Sequence, residues 1–395
     1  MKARILVLSH SYIMKSYRKK FTLIGQLTAH LPEFQIRVIT PNQWVENLQK
    51  LTFEPTNETN CHEIPLPIIF SGYASRFVYQ EGLVPHFRDF QPDIIHLEEE
   101  AWSLNALQTL LLQRCFCPHS KLIFRTSLSV EISQRFGPIP KWIEKQVFKR
   151  TDMAFPLSQN AVQILANRGY SGPSTVFPNG VDISLFRPLD SMTITDQQSV
   201  AFLKRSLNLN GYFVIGYVGR LLHMKGIDIL FRSVKSIAVN SLIQFKILLL
   251  GRGKYKSELE QLAKNLGIEN NLIWIDAVPP EAVPKYINCM DTLVLPSRTT
   301  PDWVEFFGRV LIEAMACRVP VIGSDSGEIP KVIGKAGLVF PEEDTETLAQ
   351  HLKAIYQDQS LRQQLTQRGF ERVRRFTWET IADNTFRTYI NLLSE

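Results

Sequence analysis

Long apolar runs are missing from this chain of 395 residues. No stretch approaches the roughly 18 consecutive apolar residues that a membrane span requires. Before Ser9-His10 the opening segment offers only Ile5 to Leu8, too little for an export signal, so the expected location is the cytoplasm. Cysteine is scarce and odd in number: Cys61, Cys115, Cys117, Cys289 and Cys317. A scattered odd set argues against a disulfide framework and fits a reducing compartment. Cys115-Phe116-Cys117-Pro118-His119 gathers soft ligands, but the cysteine spacing is wrong for zinc and no second pair follows, so no metal site is expected there. Neither a repeat of solenoid period nor a low-complexity tract is present.

What remains is an ordinary globular composition, 45% hydrophobic and 21% charged. The length exceeds what one hydrophobic core serves and suits two domains. The net charge of +6 favours anionic partners: nucleotide phosphates, lipid head groups or nucleic acid. Without a recognition module, nucleic acid is not expected.

Short apolar runs alternate with amphipathic stretches. Strands are expected at 4–8, 35–40, 94–97, 122–124, 153–155 and 175–177, with helices at 17–31, 104–114, 141–150 and 159–167. A polar stretch from Arg187-Pro188-Leu189-Asp190 to Thr195 reads as a linker. The pattern then restarts: strands at 213–218, 245–250, 272–275, 292–295, 319–322 and 338–340, with helices at 229–238, 256–265 and 310–316. The expected class is α/β: two Rossmann-like doubly wound domains, 1–190 and 191–377, facing across a cleft. The last helices have no strand to feed, so the C-terminal one, about 378–395, is expected to cross back to the first domain.

Two segments carry chemistry. In Gly216-Tyr217-Val218-Gly219-Arg220 and the following Lys225-Gly226, a strand enters a glycine turn, then two basic residues lead into a helix. Glycine lets backbone approach a ligand, Arg220 can fork onto a phosphate, Lys225 supplies a point charge, and the helix start adds amide donors. From these residues alone, a solvated link fits equally well. The second segment is Glu305-Phe306-Phe307-Gly308-Arg309-Val310-Leu311-Ile312-Glu313. Glu305 falls just ahead of a helix and Glu313 about two turns into it, roughly 12 Å apart along the axis. That is comparable with the reach from a hexose across a pyrophosphate to a ribose, an arrangement in which Glu305 accepts from the sugar and Glu313 from the ribose. The same spacing arises by chance in a chain this rich in Glu, so context and not spacing carries the weight.

Together with Pro320-Val321-Ile322-Gly323-Ser324-Asp325 and Gly327-Glu328-Ile329-Pro330, this segment resembles the donor-site signature of glycosyltransferase family 4. Pro178-Asn179-Gly180-Val181-Asp182 with Phe186, Gly251-Arg252-Gly253 and Arg375-Phe376-Thr377-Trp378-Glu379 extend the likeness, and in the first half so does His96-Leu97-Glu98. The resemblance implies a GT-B fold and a retaining, metal-independent sugar transfer from a UDP-, GDP- or ADP-sugar to a glycan or lipid-linked acceptor. It implies that Arg220 and Lys225 hold the diphosphate, Glu313 the ribose and Glu305 the transferred sugar. Phe307, Gly308, Arg309 and Val310 would line the sugar-phosphate site, beside Gly219, with Gly251 and Val278 near the base. No cofactor is implied, and no Asp-x-Asp sequence for a bridging metal occurs.

Two departures touch the acceptor side. The loop after the first strand reads Ser9-His10-Ser11-Tyr12 instead of glycine-rich, and Arg125-Thr126-Ser127 stands where many relatives carry a histidine. His10, His96, Glu98 and Arg125 are the acceptor-side candidates, with Glu99 and Glu100 beside them; the plainer reading of His10 is a structural residue. Lys15-Ser16-Tyr17-Arg18-Lys19-Lys20 reads as a basic helix that rests peripherally on an anionic inner-membrane face, or as a solvated one. Two other functions stay open: a catalytically silent donor-binding subunit, and another enzyme on this scaffold, such as a nucleotide-sugar epimerase or a sugar phosphorylase.

Overall fold

The computed structural model describes residues 3–31, 33–46, 49–56, 61–131, 136–240 and 243–394. The chain forms two compact units, Met1–Pro178 with Trp378–Glu395, and Asn179–Thr377. Residues 179–190, expected in the first domain, therefore belong to the second unit.

The first unit runs β1 (Ala3–Leu8), α1 (Lys15–Leu27), β2 (Phe34–Pro41), β3 (Gln43–Glu46), β4 (Gln49–Thr52), β5 (Cys61–Leu66), β6 (Ile68–Ile69), β7 (Val78–Tyr79), α2 (Pro85–Arg88), β8 (Ile94–Leu97), α3 (Leu104–Phe116), β9 (Lys121–Thr126), α4 (Pro138–Phe148), β10 (Met153–Pro156) and α5 (Gln159–Asn167). Its main sheet is parallel throughout, in the order β10-β9-β8-β1-β2-β5. Apolar runs such as Ile5–Leu8 are buried on both faces, as strands under two helical layers must be. Ser103 and Ser158 cap α3 and α5 by accepting from the amides of Ala106 and Ala161.

Two strand expectations change here. Cys61–Leu66, with alternating polar residues and Pro65, gives no apolar run, yet forms the edge strand β5, where one ladder suffices and proline is tolerated. Residues 175–177 are not a strand: they follow β10 through single bonds, Thr175 N–H to Ala154 O and Phe177 N–H to Pro156 O.

The second unit runs α6 (Ile194–Ser206), β11 (Phe213–Val218), α7 (Ile227–Asn240), β12 (Phe245–Leu250), α8 (Lys256–Leu266), β13 (Leu272–Ile275), α9 (Val283–Ile287), β14 (Thr292–Leu295), α10 (Arg309–Ala316), β15 (Val321–Ser324), α11 (Ile329–Ile333), β16 (Leu338–Phe340), α12 (Thr345–Gln357) and α13 (Gln359–Arg372). The sheet order is β13-β12-β11-β14-β15-β16, again parallel. The end of the expected linker is structured, since Thr193 caps α6 by accepting from Asp196 N–H.

The last helix, α14 (Trp378–Ser394), returns to the first unit and packs on α1, burying Ile381, Ala382, Tyr389 and Leu392 among residues of β1 and β2. Among the described residues no helix is long and apolar enough to cross a membrane. His96 on β8 anchors α14. It is fully buried, its Nδ1 lies 2.5 Å from the Tyr389 hydroxyl, and its ring meets Phe21, Phe155 and Tyr389 edge-on. His96 is thus a core residue and not an acceptor-facing one. Burial lowers its pKa to about 3, so it is neutral when folded.

A buried neutral histidine links stability to pH. Unfolded, the group takes a proton below about 6.5; folded, only near 3. Its contribution is complete above about pH 6.5 and is lost progressively toward pH 3, by at most about 1.4 kcal/mol per pH unit. Denaturant titrations between pH 7 and 5 should show the first unit weakening, with a shallower slope in His96→Asn.

Candidate functional site

In an open parallel sheet, ligands bind outside the carboxyl ends of the strands where the strand order reverses. In the second unit that point falls between β11 and β14. Gly219 and Arg220 follow β11, and the chain turns through His223–Lys225 into α7. Ser297, Arg298 and Glu305 follow β14 ahead of α10. The two loops meet there: Lys225 Nζ stands 2.5 Å from Glu305 Oε2, which also accepts from Ser297 Oγ at 2.8 Å. Both side chains are largely buried, and the ammonium lies 4.5 Å over the Trp303 ring. Arg220 is exposed, and among the described residues its guanidinium has no ion-pair partner.

Sequence reasoning missed the group that sets this geometry. Arg298, buried beside β14, donates to both oxygens of Asp228 at 2.9 and 2.8 Å and to His223 Nε2 at 2.6 Å, and its Nε lies 2.7 Å from Glu343. Its backbone N–H donates to Met224 O at 2.9 Å. The loop after β14 therefore grips the turn on both sides of Lys225. Burial works against the guanidinium charge, but Asp228 and Glu343 outweigh it and raise the pKa. The only sequence signal was position, a polar pair directly after a strand.

Glycine is obligatory at two points. Gly226 has φ 64°, and a Cβ there would stand 1.8 Å from Pro296 O. A Cβ on Gly251, at the end of β12, would stand 2.0 Å from Gly219 O. The Gly219, Gly251 and Val278 loops thus lie in order at the carboxyl ends of β11, β12 and β13.

The spacing argument for the two glutamates needs correction. Helix α10 begins at Arg309, after Gly308 at φ 77°, so only four steps to Glu313 follow the helical rise, roughly 6 Å. Glu305 lies in the preceding loop, its carbonyl accepting from Glu328 N–H at 3.0 Å. Glu313 is buried and 3.0 Å from exposed Arg309; burial raises its pKa against that attraction. Val310 is half-buried in the first turn, and the Phe307 ring packs inward on Phe376 at 5.7 Å.

In the first unit the reversal falls between β1 and β8. His10, after β1, meets Glu99, after β8: Nδ1 lies 2.7 and 2.9 Å from the carboxylate oxygens, and the His10 N–H donates to Oε1 at 2.6 Å. Trp44 flanks the partly exposed imidazole at 4.7 Å. Glu98 turns inward. Burial would raise its pKa, but Lys20, Arg125 and His96 hold it well below the usual carboxylate range. Arg125 NH1, half-exposed, sits 3.2 Å from it, while His96 Nε2 is 3.3 Å away without hydrogen-bond alignment. Neither Glu98 nor His96 presents itself to an acceptor.

The basic run of α1 is not a surface patch. Arg18 is buried on Glu63 at 2.6 Å, and Lys20 is buried on Glu98.

Two sequence profiles match the chain: "Glycosyltransferase Family 4" over residues 21–185 and "Glycosyl transferases group 1" over residues 200–372. Two Rossmann-like units with a basic site at the second switch point define the GT-B class, and solved structures share it. Sucrose-phosphate synthase from Thermosynechococcus elongatus aligns over 100% of both chains with TM-score 0.72 at 21% identity. The Anabaena protein HepE, solved with UDP and glucose, aligns over 98% of this chain and 100% of its own with TM-score 0.70 at 16% identity. The O-antigen chain mannosyltransferase B of Escherichia coli is 30% identical over 187 residues, 47% of either chain. The matched stretch thus spans about half of that relative's length. The chain belongs to glycosyltransferase family 4.

Arg298→Met removes the partner of buried Asp228 and should lower the stability of the second unit by roughly 3–5 kcal/mol. Thermal unfolding followed by calorimetry measures the loss; a change below 1 kcal/mol, the ~0–1 of surface pairs, would contradict this account of the turn.

Proposed function

We propose that this protein is a retaining glycosyltransferase that moves a hexose-type sugar from a nucleotide-diphosphate sugar to a hydroxyl of a glycan, lipid or small-molecule acceptor. The observation that carries the reading is the Lys225–Glu305 pair at the switch point, with exposed Arg220 on the same loop. A diphosphate bound there would meet the ammonium, the guanidinium and the start of α10. Sugar-transferring relatives, and a fold neighbour solved with UDP and glucose, support a nucleotide-sugar donor.

In this reading the bond from the anomeric carbon to the phosphate oxygen breaks and its electron pair leaves with the diphosphate. Lys225 and Arg220 neutralise the developing charge without a metal ion, each contact supplying on the order of 2–4 kcal/mol in the transition state. Glu305 takes hydrogen bonds from the sugar, and Glu313 from the ribose. The acceptor oxygen bonds to the same face of the sugar, and its proton passes to the departing phosphate. The acceptor side falls to the first unit, where His10, held at Nδ1 by Glu99 and partly exposed, is the residue that would meet an acceptor hydroxyl. A nucleotide-sugar donor places the work in the cytoplasm.

With UDP-, GDP- and ADP-sugars and a chelator, the purified protein should release diphosphate slowly from at least one donor. Lys225→Ala should slow this at least ~100-fold with unchanged circular dichroism. Near-normal turnover in that variant sinks the site assignment; an epimerised donor, or binding without turnover, sinks the reaction.

A further inference from the structure

Large apolar side chains exposed beside basic ones are uncommon on a protein surface and mark places where something docks. Helix α4 has such a face. Ile143 and Val147 point into the core of the first unit, and Glu144, the only carboxylate of the helix, turns inward to Arg168 at 2.9 Å. Exposed on the helix are Ile139, 65%, in its first turn, and Trp142, 54%, three residues apart and so adjacent on the helix surface. Lys141, Lys145 and Lys149 follow at intervals of four and are exposed. No carboxylate from α4 offsets them.

The neighbouring layer has the same character. Helix α3 packs on α4 and contains no acidic residue, and it exposes Leu111 and Arg114. Another exposed apolar segment of this unit, Phe70 and Tyr73 in the β6–β7 hairpin, lacks such a lysine row.

We propose that the α4 face of the first unit docks on an anionic lipid surface. A tryptophan suits the boundary between head groups and acyl chains, where its ring is apolar and its N–H stays hydrated. An isoleucine beside it adds buried area, and long lysine side chains extend their ammonium groups to the phosphates. The charge complementarity selects lipid over an apolar protein partner, because three exposed lysines without an ion-pair partner among the described residues would be left desolvated in a dry interface. The surface expected on α1 is thereby replaced by one on α4, and the inference is independent of the donor chemistry.

Co-sedimentation of the full chain with phosphatidylglycerol vesicles and, separately, phosphatidylcholine vesicles tests it. Binding to the anionic vesicles is expected, falling steeply with added salt. Replacing Lys141, Lys145 and Lys149 together by glutamine should weaken partitioning by roughly 100-fold or somewhat more, taking about a factor of five per lysine. A double variant, Ile139→Ser with Trp142→Ser, should weaken it at least ~10-fold. Donor hydrolysis without vesicles should be unchanged in both variants, showing that they fold. Equal binding to both vesicle types, no binding, binding untouched by the substitutions, or self-association of the chain through this face overturns the proposal.

Discussion

The ammonium of Lys225 and the carboxylate of Glu305 come from loops 80 residues apart and meet 2.5 Å from each other with little solvent. Two charges so placed are costly to desolvate, and the cost is offset only if the geometry is held. Holding it is the work of the surrounding residues. Ser297 donates to the same carboxylate oxygen, Arg298 clamps the turn before α7, and Gly226 lets that turn pass against Pro296 O. Each support sits at the end of β11 or β14, so the pair exists because the strand order reverses there.

The first unit repeats the arrangement with different chemistry. His10 and Glu99 meet where β1 and β8 part, and Lys20, Glu98 and His96 form a buried cluster that half-exposed Arg125 joins. The contrast is one of exposure. His10 stays partly exposed, whereas Lys20, Glu98 and His96 are closed over, and His96 binds α14 to the unit through Tyr389. One strand end therefore supplies two diverging carboxylates, Glu99 reaching the partly exposed His10 and Glu98 the buried Lys20.

Much of this was legible in sequence. Apolar runs buried on both faces located β1, β2, β8, β11, β12 and β14 closely, the apolar run of the half-buried edge strand β13 did the same, and Gly219-Arg220 with Lys225-Gly226 marked the basic turn. Residues whose meaning depends on distant partners were not legible. Arg18 and Lys20 read as a solvated basic face because nothing local reveals Glu63 and Glu98, 45 and 78 residues away. Arg298 was invisible for the same reason, its partner Asp228 lying 70 residues back. The edge strand β5 escaped because an edge needs no apolar run, and the Glu305–Glu313 spacing was misjudged because only the four steps from Arg309 onward follow the helical rise.

The central claim is that fixed positive charge in the second unit receives a diphosphate without a divalent ion. Calorimetric titration of UDP, GDP and ADP into the protein with a chelator present tests it directly. The account predicts saturable binding of at least one of them, weakened when Arg220 and Lys225 are both replaced by glutamine. No heat with any nucleotide, or binding that returns only when magnesium is restored, would contradict it.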